Sequence, residues 1–299
     1  MNIIDRSIKN LDVFQQKHPV IGFPYAVIKK VGEDDAGYQA ALITYYGFLS
    51  LFPLLLVATS LVGILSLGNA SVEAKVMHSV GTYFPVVGDQ LSRNIQASSK
   101  SGLALVVGLV LAFYGARGGA DAFRNALNHL WHVPKKRRTD FPKSLIKSLG
   151  MTLFGGLGLM IAAVLSASAS GLGRSVVFKI LSTIVSFVIL VPTFYFLYWI
   201  SLPRNYVPKV HLIRGAVASG IGIVITQALG SYLVTSQLKT LSPLYGTFAI
   251  VLGLLFWIYL QSLIVMYAVA FSIVVKQNAW PRSLSGKVLT AADRSATLE

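Results

Sequence analysis

The chain has 299 residues, 54% hydrophobic and 12% charged, with a net charge of +15 and a mean hydropathy of +0.65. Soluble domains carry about 25% charged residues, so this chain has too little polar surface to coat a water-soluble particle. It contains no cysteine, which excludes disulfides, thiolate metal sites and cysteine nucleophiles together.

The charge that remains is crowded between long blocks that have none. Residues 36–72, 148–173, 180–203, 215–238 and 240–275 lack Asp, Glu, Lys and Arg altogether. Each exceeds the roughly 20 residues a helix needs to cross a hydrocarbon core of about 30 Å. A sixth uncharged block, 101–116, is shorter. The expected fold is all-α: a polytopic transmembrane bundle of six spans with both termini cytoplasmic. The expected spans are about 38–67, 102–124, 149–170, 176–200, 215–234 and 245–275. They form a membrane domain over 36–275, between an N-terminal cytoplasmic or interfacial segment (1–35) and a polar, frayed cytoplasmic tail (276–299).

Asp5, Lys9, Asp12 and Lys17 interrupt any apolar run near the N-terminus, so the first apolar block reads as a retained span rather than a secretory signal. With the N-terminus inside, all but six of the 26 Lys and Arg residues fall on cytoplasmic segments. The six are Lys75, Arg93, Lys100, Arg174, Lys179 and Lys239. Such an imbalance is what the positive-inside rule requires. The basic charge thus orients the protein and meets anionic headgroups, and no nucleic acid partner is expected.

In chain order, Ile4, Ile8, Leu11 and Phe14 fall at helical spacing, and Pro19 ends that helix. Ile21, Tyr25 and Ile28 then mark a second short turn, followed by Lys29 and Lys30. These segments either lie along the membrane surface or pack as soluble helices on the loops. Span one carries Tyr45 and Tyr46, and a kink is expected at Pro53. Over 72–95, on the outer side, apolar residues recur every three or four positions, the pattern of amphipathic helices. Span four has a second expected kink, at Pro192. Gly155, Gly156, Gly158, the small residues of 166–171, and Gly215, Ser219, Gly220 and Gly222 permit close helix approach, whether for packing or for gating.

Span two holds the pattern closest to chemistry. Its uncharged part is too short to cross alone, so the helix must carry charge. Arg117, Asp121, Arg124 and Asn128 are spaced four, three and four and share one helix face. Charges at membrane depth face a partner or a water-filled cavity. The stripe reads either as a site for an anionic headgroup at the inner mouth of a cavity or as an ion-pair network that fixes helix depth. His129 and His132 follow, without a carboxylate at familiar ligand spacing, and no metal or other cofactor is expected. Trp131 belongs to the inner aromatic belt, and Lys135, Lys136, Arg137 and Arg138 form a basic membrane-surface run. No phosphate-binding loop or nucleophile elbow is present, and the carboxylates are too few for a two-metal nuclease.

The Tyr45-Tyr46…Ser50-Leu51-Phe52-Pro53-Leu54-Leu55 stretch resembles the first span of the YihY/BrkB family of bacterial inner-membrane proteins. So do Ala126-Leu127-Asn128-His129-Leu130-Trp131 with its basic sequel, Leu202-Pro203-Arg204-Asn205 before Arg214-Gly215-Ala216, and Ser242-Pro243-Leu244-Tyr245-Gly246-Thr247 before Leu254-Leu255-Phe256-Trp257-Ile258-Tyr259-Leu260. The N-terminal extension and the Arg117-Gly118-Gly119-Ala120-Asp121-Ala122 segment are closer to the YhjD branch. The resemblance covers about 36–275 and implies six spans in the inner membrane. It carries an old ribonuclease BN label, regarded as a misassignment, and links to serum resistance and, in the YhjD branch, to export of lipid A precursors. It supplies no catalytic residues.

The expected function is a transporter or flippase-like exporter of a lipid or anionic amphiphile, such as a lipid A precursor, without an ATPase of its own. Arg117, Asp121, Arg124 and Asn128 would engage the headgroup, and Tyr45, Tyr46 and Tyr245 would line the path. The alternatives are a non-transporting scaffold that binds partners through basic cytoplasmic segments and a membrane-bound hydrolase.

Overall fold

A computed structural model describes residues 10, 12–65, 102–140, 142–159, 161–162, 175–245, 248–283, 290 and 292–293. The amphipathic segment expected over 72–95 and the small residues of 166–171 lie outside the described residues, as does the side chain of Tyr245. The described residues are helical, with no strand among them. In chain order the helices are α1 (Pro19–Glu33), α2 (Ala36–Leu65), α3 (Gly102–Leu130), α4 (Lys143–Gly150), α5 (Val176–Ser201), α6 (Lys209–Tyr245) and α7 (Phe248–Gln277). One turn of 3-10 helix, Lys135–Arg137, precedes α4, and a π-helical turn, Met151–Gly155, continues it.

Local chemistry sets several of these ends. α1 is a full helix of 15 residues rather than a short turn. Pro19 occupies its first turn, where a missing N–H costs nothing, and His18 before it is extended, as a residue preceding proline prefers to be. Ser175 caps α5 by accepting a hydrogen bond from the Phe178 N–H at 3.3 Å. That helix runs through Pro192 and stops where Leu202, ahead of Pro203, turns extended. At the end of α3 the Val133 N–H reaches the Asn128 carbonyl and the His132 N–H reaches the His129 carbonyl, both at 2.9 Å. His132 sits there at φ 50. This is the Schellman closure, with histidine in the left-handed position that glycine usually takes.

Among the described residues, three helices are long and apolar enough to cross a membrane: Val176–Ser201 (26 residues), Lys209–Gln227 (19) and Val251–Gln277 (27). At 1.5 Å per residue the first spans about 39 Å, enough for the hydrocarbon core. On α5, Val176, Val177, Ile180, Leu181, Ile184 and Val188 are all exposed. Apolar surface so continuous does not stay in water in a monomeric soluble protein, and a lipid environment explains it.

The chain divides into two compact units: residues 1–41, 123–229 and 261–299 form the first, and residues 42–122 and 230–260 the second. In the first, Leu127 and Leu130 of α3, Leu190 and Phe194 of α5, Ala216 of α6 and Met266 and Ile273 of α7 are buried together with Val27 and Val31 of α1. Small residues bring these helices close. A Cβ on Gly215 would meet the Tyr198 ring at 3.3 Å and Ser272 at 3.4 Å, and one on Gly222 would meet Ile264 Cγ2 at 2.5 Å. Tyr198 and Ser219, both buried, share a hydrogen bond between α5 and α6.

The expected frayed tail is overturned in its described part. Arg282, Ser283 and Asp293 are buried, because the N-terminal segment supplies partners for each. Gln15 donates to the Arg282 carbonyl, and the Ser283 hydroxyl donates to Asp12 at 3.0 Å. Lys29 donates to Asp293 at 2.8 Å and to the Ser283 carbonyl at 2.8 Å. The Arg282 guanidinium pairs with Glu33 and lies 3.1 Å from Asp293. Satisfied charge can be buried where isolated charge cannot, and the two ends of the chain satisfy each other.

Candidate functional site

The charged stripe of α3 is built in two parts, one in each unit. In the second unit Arg117 Nε donates to Asp121 Oδ2 at 3.2 Å, one helical turn on, with the side chains 33% and 25% exposed. Gly118 and Gly119, between them, let α2 approach. A Cβ on Gly118 would stand 2.7 Å from Cδ1 of Tyr46, and one on Gly119 would stand 3.8 Å from the Gly47 nitrogen. The ring of Tyr46 therefore rests on the helical turn that carries the Arg117–Asp121 pair. Tyr45 and Tyr46 stack edge to face at 5.2 Å and both are exposed. The structure thus brings together four of the residues singled out from sequence.

Arg124 and Asn128 belong to the first unit and do different work. Arg124 is buried and donates to the Ser144 carbonyl at 3.1 Å and to its hydroxyl at 3.0 Å. Asn128 is buried and its amide donates to the carbonyls of Arg124 and, at 3.0 Å, of Ser201. That second bond ties α3 to the end of α5 and makes Asn128 a helix fastener. Lys135, Lys136 and Arg137 are exposed, whereas Arg138 is half-buried and donates to the Val133 carbonyl at 3.0 Å.

Two charged clusters were not picked out from sequence. In the first, Lys30 and Asp34, 5% and 6% exposed, form an ion pair at 3.2 Å. His132 Nε2 lies 3.0 Å from Asp34 Oδ1 and 3.2 Å from Lys30 Nζ. The four-residue spacing of Lys30 and Asp34 is a sequence signal; the histidine, 98 residues on, has none. The burial of Lys30 removes it from the membrane-surface role open to it in sequence. The second cluster is the contact of the chain ends. At Asp293 burial pushes the carboxyl up, but bonds from Lys29, the Ser283 N–H and Thr290 prevail and hold it at about 2. Burial, followed by the carboxylates of Asp12, Asp293 and Glu33, pushes the Tyr25 hydroxyl up.

His129 is exposed. Among the described residues no three His, Asp or Glu side chains gather as a metal would require. Trp131 is buried, with Lys276 Nζ 5.1 Å from its ring centroid and 5.9 Å from that of Tyr206. Its place is a cation–π contact between α3 and α7.

These features define an α-helical integral membrane protein whose polar groups gather at helix ends. Residues 27–288 match the virulence factor BrkB family, and the chain belongs to that family. It is 25% identical to a UPF0761 membrane protein of Psychrobacter sp. (strain PRwf-1), over 93% of this chain and 53% of that one. The chain thus spans about half the length of that relative. It is 24% identical to the inner membrane protein YhjD of Escherichia coli (strain K12), over 89% of this chain and 85% of the relative. It is 25% identical to YfkH of Bacillus subtilis (strain 168), named as ribonuclease-like, over 76% and 86% respectively. No solved structure matches the chain. The membrane-spanning helices and these relatives place the protein in the bacterial inner membrane.

Proposed function

We propose that this protein is a six-span transporter, or flippase-like exporter, of a lipid or other anionic amphiphile, and that it is not an enzyme. The observation that carries the reading is the Arg117–Asp121 pair. Two partly exposed charges on a helix that begins as an uncharged apolar run are costly in lipid, and a cavity that admits a charged headgroup offsets that cost. Arg117 would attract the headgroup, Asp121 would hold the guanidinium in place between cycles, and Tyr45 and Tyr46 would line the path. The contact between Lys29 and Asp293, from opposite ends of the chain, supports an even number of crossings with both ends on one side.

The test is translocation of a fluorescent anionic lipid in proteoliposomes, with Arg117→Ala and Asp121→Ala proteins alongside. Movement above that of empty liposomes, lost in both variants, is expected. Folded variants that move lipid at the parent rate would sink the assignment of Arg117 and Asp121. A second reading, a scaffold that holds protein partners, is favoured by the exposed run Lys135–Arg137. Stoichiometric crosslinked partners with no lipid movement would select it.

A further inference from the structure

We infer that helix α1 seats one of its faces at the boundary between lipid headgroups and acyl chains, so that its partner is the bilayer itself. α1 has three faces. Gly22, Ala26, Val27, Lys30 and Val31 are buried. Tyr25, Lys29 and Glu33, spaced by four, all meet the C-terminal tail. Tyr25 and Lys29 donate to the Ser283 carbonyl at 3.4 and 2.8 Å, and Glu33 pairs with Arg282. Val20, Ile21, Pro24 and Ile28 share the third face by helical spacing. Pro24 is exposed, as are Val20 (85%), Ile28 (56%) and Ile21 (50%). The charged side chains of α1, Lys29, Lys30 and Glu33, all belong to the other two faces.

Depth selects lipid as the occupant of this apolar face. α3, α5 and α7 finish on one side of their unit: the Asn128 amide donates to the Ser201 carbonyl, and Lys276 lies over Trp131. The Phe23 ring of α1 meets Phe271 of α7 edge to face at 5.6 Å. Phe271 stands six residues before the end of α7 at Gln277, which is about 9 Å along the helix. The spanning part of α7, 27 residues, is about 40 Å long and overhangs a hydrocarbon core of about 30 Å by roughly 5 Å at each end. Phe23 is thereby placed just inside the boundary, where interfacial helices lie. Trp199, two residues before the end of α5, is 52% exposed and continues the same level as an aromatic anchor. Pro24, inside α1, has no N–H to give the Val20 carbonyl; headgroup water can take its place, as hydrocarbon cannot. This inference rests on the membrane location of the protein and not on the transport reading above.

The absence of cysteine makes the test direct. Val20→Cys, Ile28→Cys and Lys136→Cys proteins each carry one bimane label, and all three positions are exposed. The full chain is placed in phosphatidylcholine nanodiscs doped with phosphatidylcholine that bears a nitroxide high on an acyl chain. Quenching by that lipid is compared with quenching by aqueous iodide. The labels at 20 and 28 should be quenched several-fold more strongly by the nitroxide lipid than the label at 136, with the order reversed for iodide. Labels at 20 and 28 that respond to iodide as strongly as the label at 136 would put this face in water and overturn the inference. Protection of both from both quenchers would mean that protein, such as a second copy of this chain, covers the face, and would overturn it equally. Neither result depends on whether lipid is moved across the bilayer.

Discussion

His132 closes helix α3 in the left-handed backbone region and in doing so sets its Nε2 3.0 Å from Asp34 Oδ1. A non-glycine residue in that conformation costs about 1 kcal/mol. Nε2 can donate to Asp34 or accept from Lys30, depending on where the imidazole carries its proton. Either way the histidine stands at the exposed edge of a buried ion pair.

That relationship separates two substitutions. Asp34→Ala leaves the Lys30 ammonium buried without its partner and should cost about 3 kcal/mol. His132→Gly loses a hydrogen bond of about 1 kcal/mol and regains a similar amount from the relaxed backbone. Thermal unfolding of the purified proteins in one detergent should show a large fall for the first and little change for the second. Equal falls would mean that the imidazole, rather than Lys30, depends on Asp34.

The contact between the chain ends should loosen in acid. Asp293 is held at about 2 in the folded protein, against an ordinary 3.8. Its stabilising contribution is therefore complete above about 3.8 and is lost as pH falls through about 2. Amide hydrogen exchange at Ser283, whose N–H donates to Asp293 at 2.9 Å, should accelerate across that window beyond its intrinsic change. In Asp293→Asn protein exchange should be fast throughout. An unchanged acid profile in that variant would remove Asp293 as the cause.

Two glycines should respond oppositely to alanine. At Gly118 the new Cβ would stand 2.7 Å from Cδ1 of the Tyr46 ring, and a destabilisation of about 1–3 kcal/mol is expected. At Gly156 nothing lies within 4 Å of the new Cβ, so only the helix preference for alanine acts, with a gain of about 0.5–1 kcal/mol. Melting temperatures of the two proteins in the same detergent provide the check. A neutral Gly118→Ala would show that Tyr46 is free to leave the α3 surface.

Arg117 and Asp121 should matter little to stability. Partly exposed pairs one helical turn apart contribute under about 1 kcal/mol. The Arg117→Ala/Asp121→Ala double variant should therefore unfold within a few degrees of the parent while losing lipid movement. A large fall in melting temperature would identify the pair as a structural brace.

Much of this protein is readable from its sequence because the membrane imposes a one-dimensional rule. A lipid environment demands long uncharged helices, and the blocks at 180–203 and 240–275 announce α5 and α7 directly. The four-residue spacing of Arg117 and Asp121 likewise places them on one helix face, and there they pair. The order of the span motifs indicates the family. Partner choice across the chain is a different matter. That His132 serves Asp34, that Arg282 and Ser283 are buried by Asp12, Lys29 and Glu33, and that Arg124 turns to Ser144 beside Lys147 were decided by tertiary structure alone. Periodicity reports which face of a helix is apolar, but it carries no term for two charged groups some hundred or more residues apart that become affordable to bury only once they meet. The same limit made the tail look frayed: its polar residues are dear to bury singly, and the N-terminal helix supplies their counterparts.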